Sequence, residues 1–373
     1  MKKILLVFTF LAIIQQSYGQ GCVAVRHFGV CSADMTHNTF EKGDIQAGVN
    51  YRYFKSFRHF RGTHEEPDRV TNGTEVINHS HNWEYNVNYW LSGKTNLILG
   101  IPTQINTRSS LYEHGRTERH MSFSRGLGDI RFGIQQWIVQ PGSKSWNIQL
   151  GSSLKLPTGN FNSSDIFYNV GVNGTPEVRP VDQSIQLGDG GFGVILETQM
   201  YVKLSEKIYL STGAFYLINP REVNNIRTFR EKLSPTLANE AIMSVPDQFS
   251  SRLAANFSLS PSSNISLGGR YEAVPVNDFI GGSAGFRRPG NILSVEPVYS
   301  YIKNNLSLSL GLPIAVRRER PQSYTDLEYQ RTTGTYRMGD AAFADYAINV
   351  GIQYTFKKKT EAKGAPVFEI PRE

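Results

Sequence analysis

Cysteine is nearly absent from this chain, and its body carries no long hydrophobic run. Only Cys22 and Cys31 occur in 373 residues, and no C-x-x-C or C-x-x-C-H spacing exists to hold zinc or attach haem. After residue 20 no apolar stretch approaches the ~20 residues that a membrane-spanning helix needs. A massed charge of one sign is missing too. The 39 basic and 32 acidic residues are scattered, which leaves no electrostatic footprint for nucleic acid. No nucleophile elbow, H-E-x-x-H or kinase-type set is found. The sequence therefore assigns no catalytic residue, no metal site and no cofactor.

What is present begins with "MKKILLVFTFLAIIQQSYGQ". Lys2 and Lys3, the apolar run 4–14 and the small-residue site at Ser17-Tyr18-Gly19 predict a cleaved signal peptide over residues 1–19. A retained anchor and a lipidated Cys22 are the rival readings. The second lacks its leucine, since Gly19 stands three residues before the cysteine. Export puts Cys22 and Cys31 in an oxidising compartment, where a disulfide is expected. Closing that short loop would stabilise segment 20–43 by about 2.5–3 kcal/mol in the chain-entropy model. The competing reading, Cys22, His27 and Cys31 as metal ligands, lacks a fourth ligand.

The body of the chain alternates with period two. In "DIQAGVNYRY" (44–53), Ile45, Ala47, Val49, Tyr51 and Tyr53 share one face; in "YAINVGIQYTF" (346–356), Tyr346, Ile348, Val350, Ile352, Tyr354 and Phe356 do. Such rows are strands with one apolar face, not helices. Twelve can be placed, near 44–60, 79–91, 96–106, 128–139, 146–157, 188–203, 207–218, 247–259, 264–274, 292–302, 306–317 and 342–356. Their connections alternate: short turns such as 92–95, 205–207 and 303–305, long ones such as 107–127, 158–187 and 219–246. That rhythm predicts an all-β fold: a transmembrane antiparallel up-and-down barrel of about twelve strands over residues 44–356. The disulfide-closed segment would precede it and a charged periplasmic tail, 357–373, would follow. A soluble β-sandwich is the alternative, but its turns need not alternate in length. Within the loop 219–246, Ser234 and Pro235 predict a short helix start.

If the apolar face meets lipid, the alternate positions line the lumen. These are Arg52, Glu84, Arg131, Lys155, Glu197, Arg252, Arg270, Glu272 and Glu296, with Lys203 and several Asn and Gln residues. Unpaired burial of such charges is costly, so they are either hydrated, as a conduit, or paired, as a stiffening lattice. His79 and His81 fall on one strand face, readable as a metal pair or as residues at the outer membrane interface.

Three Gly-rich stretches, "GLGDIRFGIQ" (126–135), "LKLPTGNFN" (154–162) and "LGDGGFGVILE" (187–197), carry a resemblance. Over roughly residues 126–217 the chain resembles outer-membrane proteins of the MetA-pathway phenol-degradation type, grouped with the fatty-acid-transporter-like barrels. The resemblance implies a transport barrel for small, often hydrophobic or aromatic compounds, with an N-terminal segment as plug. Here segment 20–43 holds that place, and Arg26 is available to pair with Glu84 or Glu272.

The resulting expectation is a bacterial outer-membrane channel in contact with lipids and small solutes, and not an enzyme. A structural or assembly role in the envelope is the other reading. Association of barrels with each other or with envelope partners stays open.

Overall fold

The alternating rows become the staves of a closed cylinder. The computed structural model describes residues 40–230 and 233–358. The leader, Arg26, the Cys22–Cys31 pair, most of segment 20–43 and most of the tail lie outside the described residues. Twelve antiparallel staves follow one another around the barrel. They are β1 (Ile45–Arg61), β2 (Ile77–Trp90), β3 (Thr95–Ser110), β4 (His120–Leu127 continued by Arg131–Trp137), β5 (Trp146–Lys155) and β6 (Gly193–Lys203). Then come β7 (Ile208–Ile218), β8 (Gln248–Ser260), β9 (Ser263–Val274), β10 (Gly290–Lys303), β11 (Leu306–Gly311 continued by Ile314–Glu319) and β12 (Ala341–Phe356). β12 returns to β1 in a register running from Ile45 opposite Phe356 to Phe60 opposite Ala341, so the sheet closes on itself.

Sidedness follows the alternation. Tyr85, Leu150, Leu196, Leu253, Leu267, Val295 and Ile352 stand exposed on the outside, although nothing polar covers them. A cylinder that exposes its apolar row and buries its polar one is stable only with hydrocarbon outside. No helix among the described residues is long and apolar enough to cross a membrane.

Two staves are interrupted, and both breaks matter below. β4 bends at Gly128 and Asp129, its outer half pairing with β3 from Thr103–Leu127 up to Ser110–His120. This lengthens the stave expected over 128–139 and cuts the loop expected at 107–127 to residues 111–119. β11 breaks at Pro313, which has no N–H to donate. Beyond the pair Ile314–Tyr346, no backbone pair joins β11 to β12 among the described residues. There β11 pairs only with β10, and β12 only with β1. The wall is spanned instead by side chains: the Arg318 guanidinium donates to the Ala344 carbonyl (2.9 Å) and to Asp345 (2.6 Å). Higher still, Gly62 pairs with Arg320 and closes the rim.

The outer loops carry structure of their own. The loop 158–187 holds a small hairpin (Ser164–Phe167 with Glu177–Pro180). The loop 219–246 holds another (Val223–Arg227 with Ile242–Ser244) and a short 3-10 turn, Pro235–Glu240, begun by Ser234 as expected. An unexpected helix, Tyr324–Thr333, starts at a capping box between Ser323 and Asp326.

Candidate functional site: the bore and its mouth

All nine lumen residues expected from alternation point inward, and none of their side chains is more than 8% exposed. That figure decides between hydration and pairing. Arg52 on β1 reaches across the bore to Glu272 on β9 with two parallel bonds, 2.6 and 2.8 Å. Glu296 on β10 holds Arg252 through one oxygen and Arg270 (2.9 Å) through the other. On the opposite wall, Arg131 bonds Glu84 (2.7 Å) and lies 3.8 Å from Glu197, which accepts from Gln135 (2.8 Å). Lys155 binds Asp189 and stands 3.8 Å from Asp129. The charges form a lattice of mutual partners. Lys203 is the exception: it lies exposed at the inner end of β6, paired with Glu206 (2.8 Å).

At the periplasmic end the bore is closed by rings. Trp90, Trp137 and Tyr201 turn inward and pack with Phe40, whose ring stacks on Trp90 at 3.9 Å between centroids. Lys357 sits over the other side of Phe40 (4.9 Å) and pairs with Asp44 (3.0 Å). These inward aromatics were not anticipated, because aromatic residues near stave ends are expected to face lipid. Tyr299, Tyr354, Phe356 and Trp146 do face it.

Outward of the lattice the chemistry changes. A small cleft, open to solvent, is lined by Phe54, Ile292, Pro313, Ala315, Phe343 and Ala347, with Ser56, Ser294 and, at its floor, Arg52 and Glu272. It lies behind the interrupted β11–β12 seam, and Tyr346 of that seam also borders it. Phe54 and Ile292 are apolar residues on the otherwise polar row. That irregularity was the available signal for a chamber.

The three Gly-rich motifs meet at one junction at the mouth. Asp129 accepts from the Gly159 N–H (3.0 Å) through one oxygen and from the Asp189 N–H (3.2 Å) through the other. The Thr158 hydroxyl donates to the Gly128 carbonyl and accepts from the Ile130 N–H, both at 2.9 Å. Gly188 is required there: a Cβ would come within 2.6 Å of the Asp129 carboxylate and 2.7 Å of the Gly159 carbonyl. The junction draws the loop 158–187 over the bore, burying Val181, Ile185 and Leu187. Gln104 donates to the Leu187 carbonyl (3.2 Å), and Gln183 to Ser244 of the next loop (2.8 Å). Asp182 anchors this lid between Arg288 (2.6 Å) and Arg108 (3.5 Å), which hold its carboxyl well below the usual range despite full burial.

No protein-family model matches the chain. No curated protein matches it either. Among solved structures, an outer membrane channel from Pseudomonas putida F1 superposes with a TM-score of 0.59 at 12% identity, over 88% of this chain and 100% of that one. A mutant of the monoaromatic hydrocarbon channel TodX (TM-score 0.42, 11% identity, 91% and 99% covered) fits more loosely. So does the Ralstonia pickettii toluene transporter TbuX (0.40, 10%, 92% and 99%). The first match shows a shared fold. With its apolar exterior, the chain is an outer-membrane β-barrel that shares this fold.

Proposed function

We propose that this barrel is an outer-membrane channel for small apolar molecules, which enter the outer chamber and leave sideways through the seam between β11 and β12. One observation carries the reading: the apolar chamber lies behind the stretch of wall where the backbone ladder is missing, above a floor of paired charges. A polar solute crossing that floor would have to separate the Arg52–Glu272 pair, which is buried and bidentate. An apolar solute gains roughly 25 cal/mol per Å² by leaving water for the apolar lining and need not cross the lattice. Between the Ile314–Tyr346 pair and the Gly62–Arg320 rim, passing the seam breaks no backbone ladder but does part the Arg318 contacts to Ala344 and Asp345.

The shared fold with a protein described as an outer membrane channel supports this reading. In it, the nine lumen charges act as floor and stiffening rather than as a polar route. Residues 1–19 are a removed leader, segment 20–43 is a stopper at the periplasmic end, and 357–373 is a periplasmic tail. The position of Phe40 within the aromatic closure supports the stopper. The barrel has no enzymatic role in this proposal; its partners are membrane lipids and the solute.

The test pairs two measurements on the full-length protein. Cells making it should take up a labelled monocyclic aromatic faster than cells without it, while planar-bilayer recording shows only small ionic steps. Large ionic steps with no aromatic uptake would replace the proposal with a polar pore. Neither activity would favour a structural role in the envelope, which the filled bore also fits.

A further inference from the structure

The outer wall carries a second group of polar residues that neither barrel closure nor the chamber explains. On the outer faces of β1 and β2, Lys55 lies directly opposite His79, Tyr53 opposite His81, and Tyr51 opposite Trp83. The tyrosines bond diagonally: the Tyr51 hydroxyl meets Nδ1 of His81 at 2.8 Å, and the Tyr53 hydroxyl meets Nδ1 of His79 at 3.0 Å. The rings pack on one another, Tyr53 on His81 at 4.8 Å and Tyr51 on Trp83 at 5.2 Å between centroids.

The geometry fixes chemistry. Each imidazole has its Nδ1 engaged by a tyrosine hydroxyl and its Nε2 on the far side of the ring. Where the hydroxyl donates, the proton of the neutral ring sits on Nε2, and a protonated ring carries an N–H there in either case, which sets two N–H donors beside an ammonium. Lys55 rests over the Phe57 ring at 4.5 Å, and no carboxylate pairs with it among the described residues. Glu65 is held by Arg58, and Asp345 by Arg58 and Arg318.

Height decides what these donors meet. Lys55 is ten residues above Ile45; at about 3.3 Å per residue and a stave tilt near 40°, it stands roughly 25 Å higher, in the outer part of the apolar band, where Phe123 and Met121 stand exposed on β4. Below it the same face is Val49, Ala47 and Ile45. A cation and two N–H donors at that height face the phosphates of outer-leaflet lipid, while the tyrosine and tryptophan rings lie against its acyl chains.

We infer that Lys55, His79 and His81, oriented by Tyr53 and Tyr51, form a binding site on the outer wall for a phosphorylated glycolipid of the outer leaflet. The inference rests on the membrane-barrel reading. Detergent-solubilised full-length protein is titrated with lipid A, with its dephosphorylated form and with inorganic phosphate, and bound species are counted by native mass spectrometry. Lipid A should bind, and the combined variant Lys55→Gln, His79→Gln, His81→Gln should weaken it at least about tenfold, the worth of one charge-assisted hydrogen bond. Tyr51→Phe with Tyr53→Phe should weaken it less, and Lys55→Arg should keep it. Equal binding of lipid A by wild type and combined variant overturns the site. Equal binding of the dephosphorylated form overturns the phosphate assignment. Variant-sensitive binding of inorganic phosphate alone, as tight as lipid A, overturns a lipid ligand in favour of a soluble anion. A chain that shows no heat-modifiable folded form in detergent fails before lipid is added, and that result breaks the membrane reading instead.

Discussion

The inner and outer halves of the bore are made by the same twelve staves yet are filled by opposite chemistry. The inner half is sealed by ion pairs and by the ring cluster of Phe40, Trp90, Trp137 and Tyr201; the outer half holds an apolar chamber beside an interrupted wall. The difference shows that closure and opening are local decisions within one sheet. Where most lumen positions are polar and every stave is paired, the charges satisfy each other, although clefts remain beside Glu296 with its two arginines and beside Arg131 and Lys155. Where Phe54 and Ile292 enter the polar row and Pro313 removes a donor, space and a weak wall appear together. Passage would then be set by the second arrangement and stability by the first, so each should respond to different substitutions.

The largest effect is expected in the sealed half. Glu296→Ala leaves Arg252 and Arg270 buried without their shared carboxylate, a loss of about 3–5 kcal/mol. The barrel should lose its heat-modifiable electrophoretic form at a clearly lower temperature than wild type. An unchanged temperature would mean that water already screens these charges, and the bore would have to be redrawn as an aqueous conduit.

In the open half, Ala347→Phe puts a ring into the chamber. The ring takes up space that a solute would need, and because the cleft is open it need not strain the staves. Aromatic uptake should fall by about tenfold while the unfolding temperature moves little. Uptake that survives the substitution would detach transport from the chamber, and with it from the seam.

Much of this contrast was legible in the sequence. Period two set the staves and their sidedness, because a one-residue slip would turn every apolar residue inward. The cost of burying the lumen charges alone left hydration and pairing open, and which carboxylate meets which guanidinium could not be read. Arg52 and Glu272 are 220 residues apart, and only barrel closure brings them together. The chamber was harder to see, since Phe54 lies within "YRYFKSF", where both faces look apolar. The helix Tyr324–Thr333 was readable from Ser323 and Asp326 but sat in a stretch taken as loop. Trp90 and Trp137 show the opposite failure: rings at stave ends fit lipid and lumen equally well, and only the neighbouring Phe40 decides for the lumen.

The junction of the three motifs tests whether the mouth is held independently of both halves. Asp129→Ala removes two backbone acceptor contacts and a neighbour of Lys155, worth about 1.5–3 kcal/mol locally. Limited proteolysis should cut within residues 158–187 faster than in wild type, with the staves intact. If the loop resists as before, the lid must be carried by Asp182 and its two arginines alone.

The smallest effect concerns the same shell at acid pH. His114, in the loop between β3 and β4, is buried against Phe167 and His120, and its Nδ1 accepts from the Tyr168 N–H (3.1 Å). Burial first, and then His120, push its pKa down to about 4, with Asp165 opposing weakly. A depressed value means that the folded loop prefers the neutral ring. Its contribution is therefore complete above the ordinary value near 6.5 and is lost as the pH falls from there towards about 4, because only the opened loop then takes up the proton. Hydrogen exchange in the hairpin Ser164–Phe167/Glu177–Pro180 should accelerate over that window beyond its intrinsic pH dependence, while the staves stay protected. His114→Gln, which keeps an acceptor but cannot titrate, should flatten the response. A flat wild-type profile would mean that acid leaves the mouth as closed as the lattice beneath it.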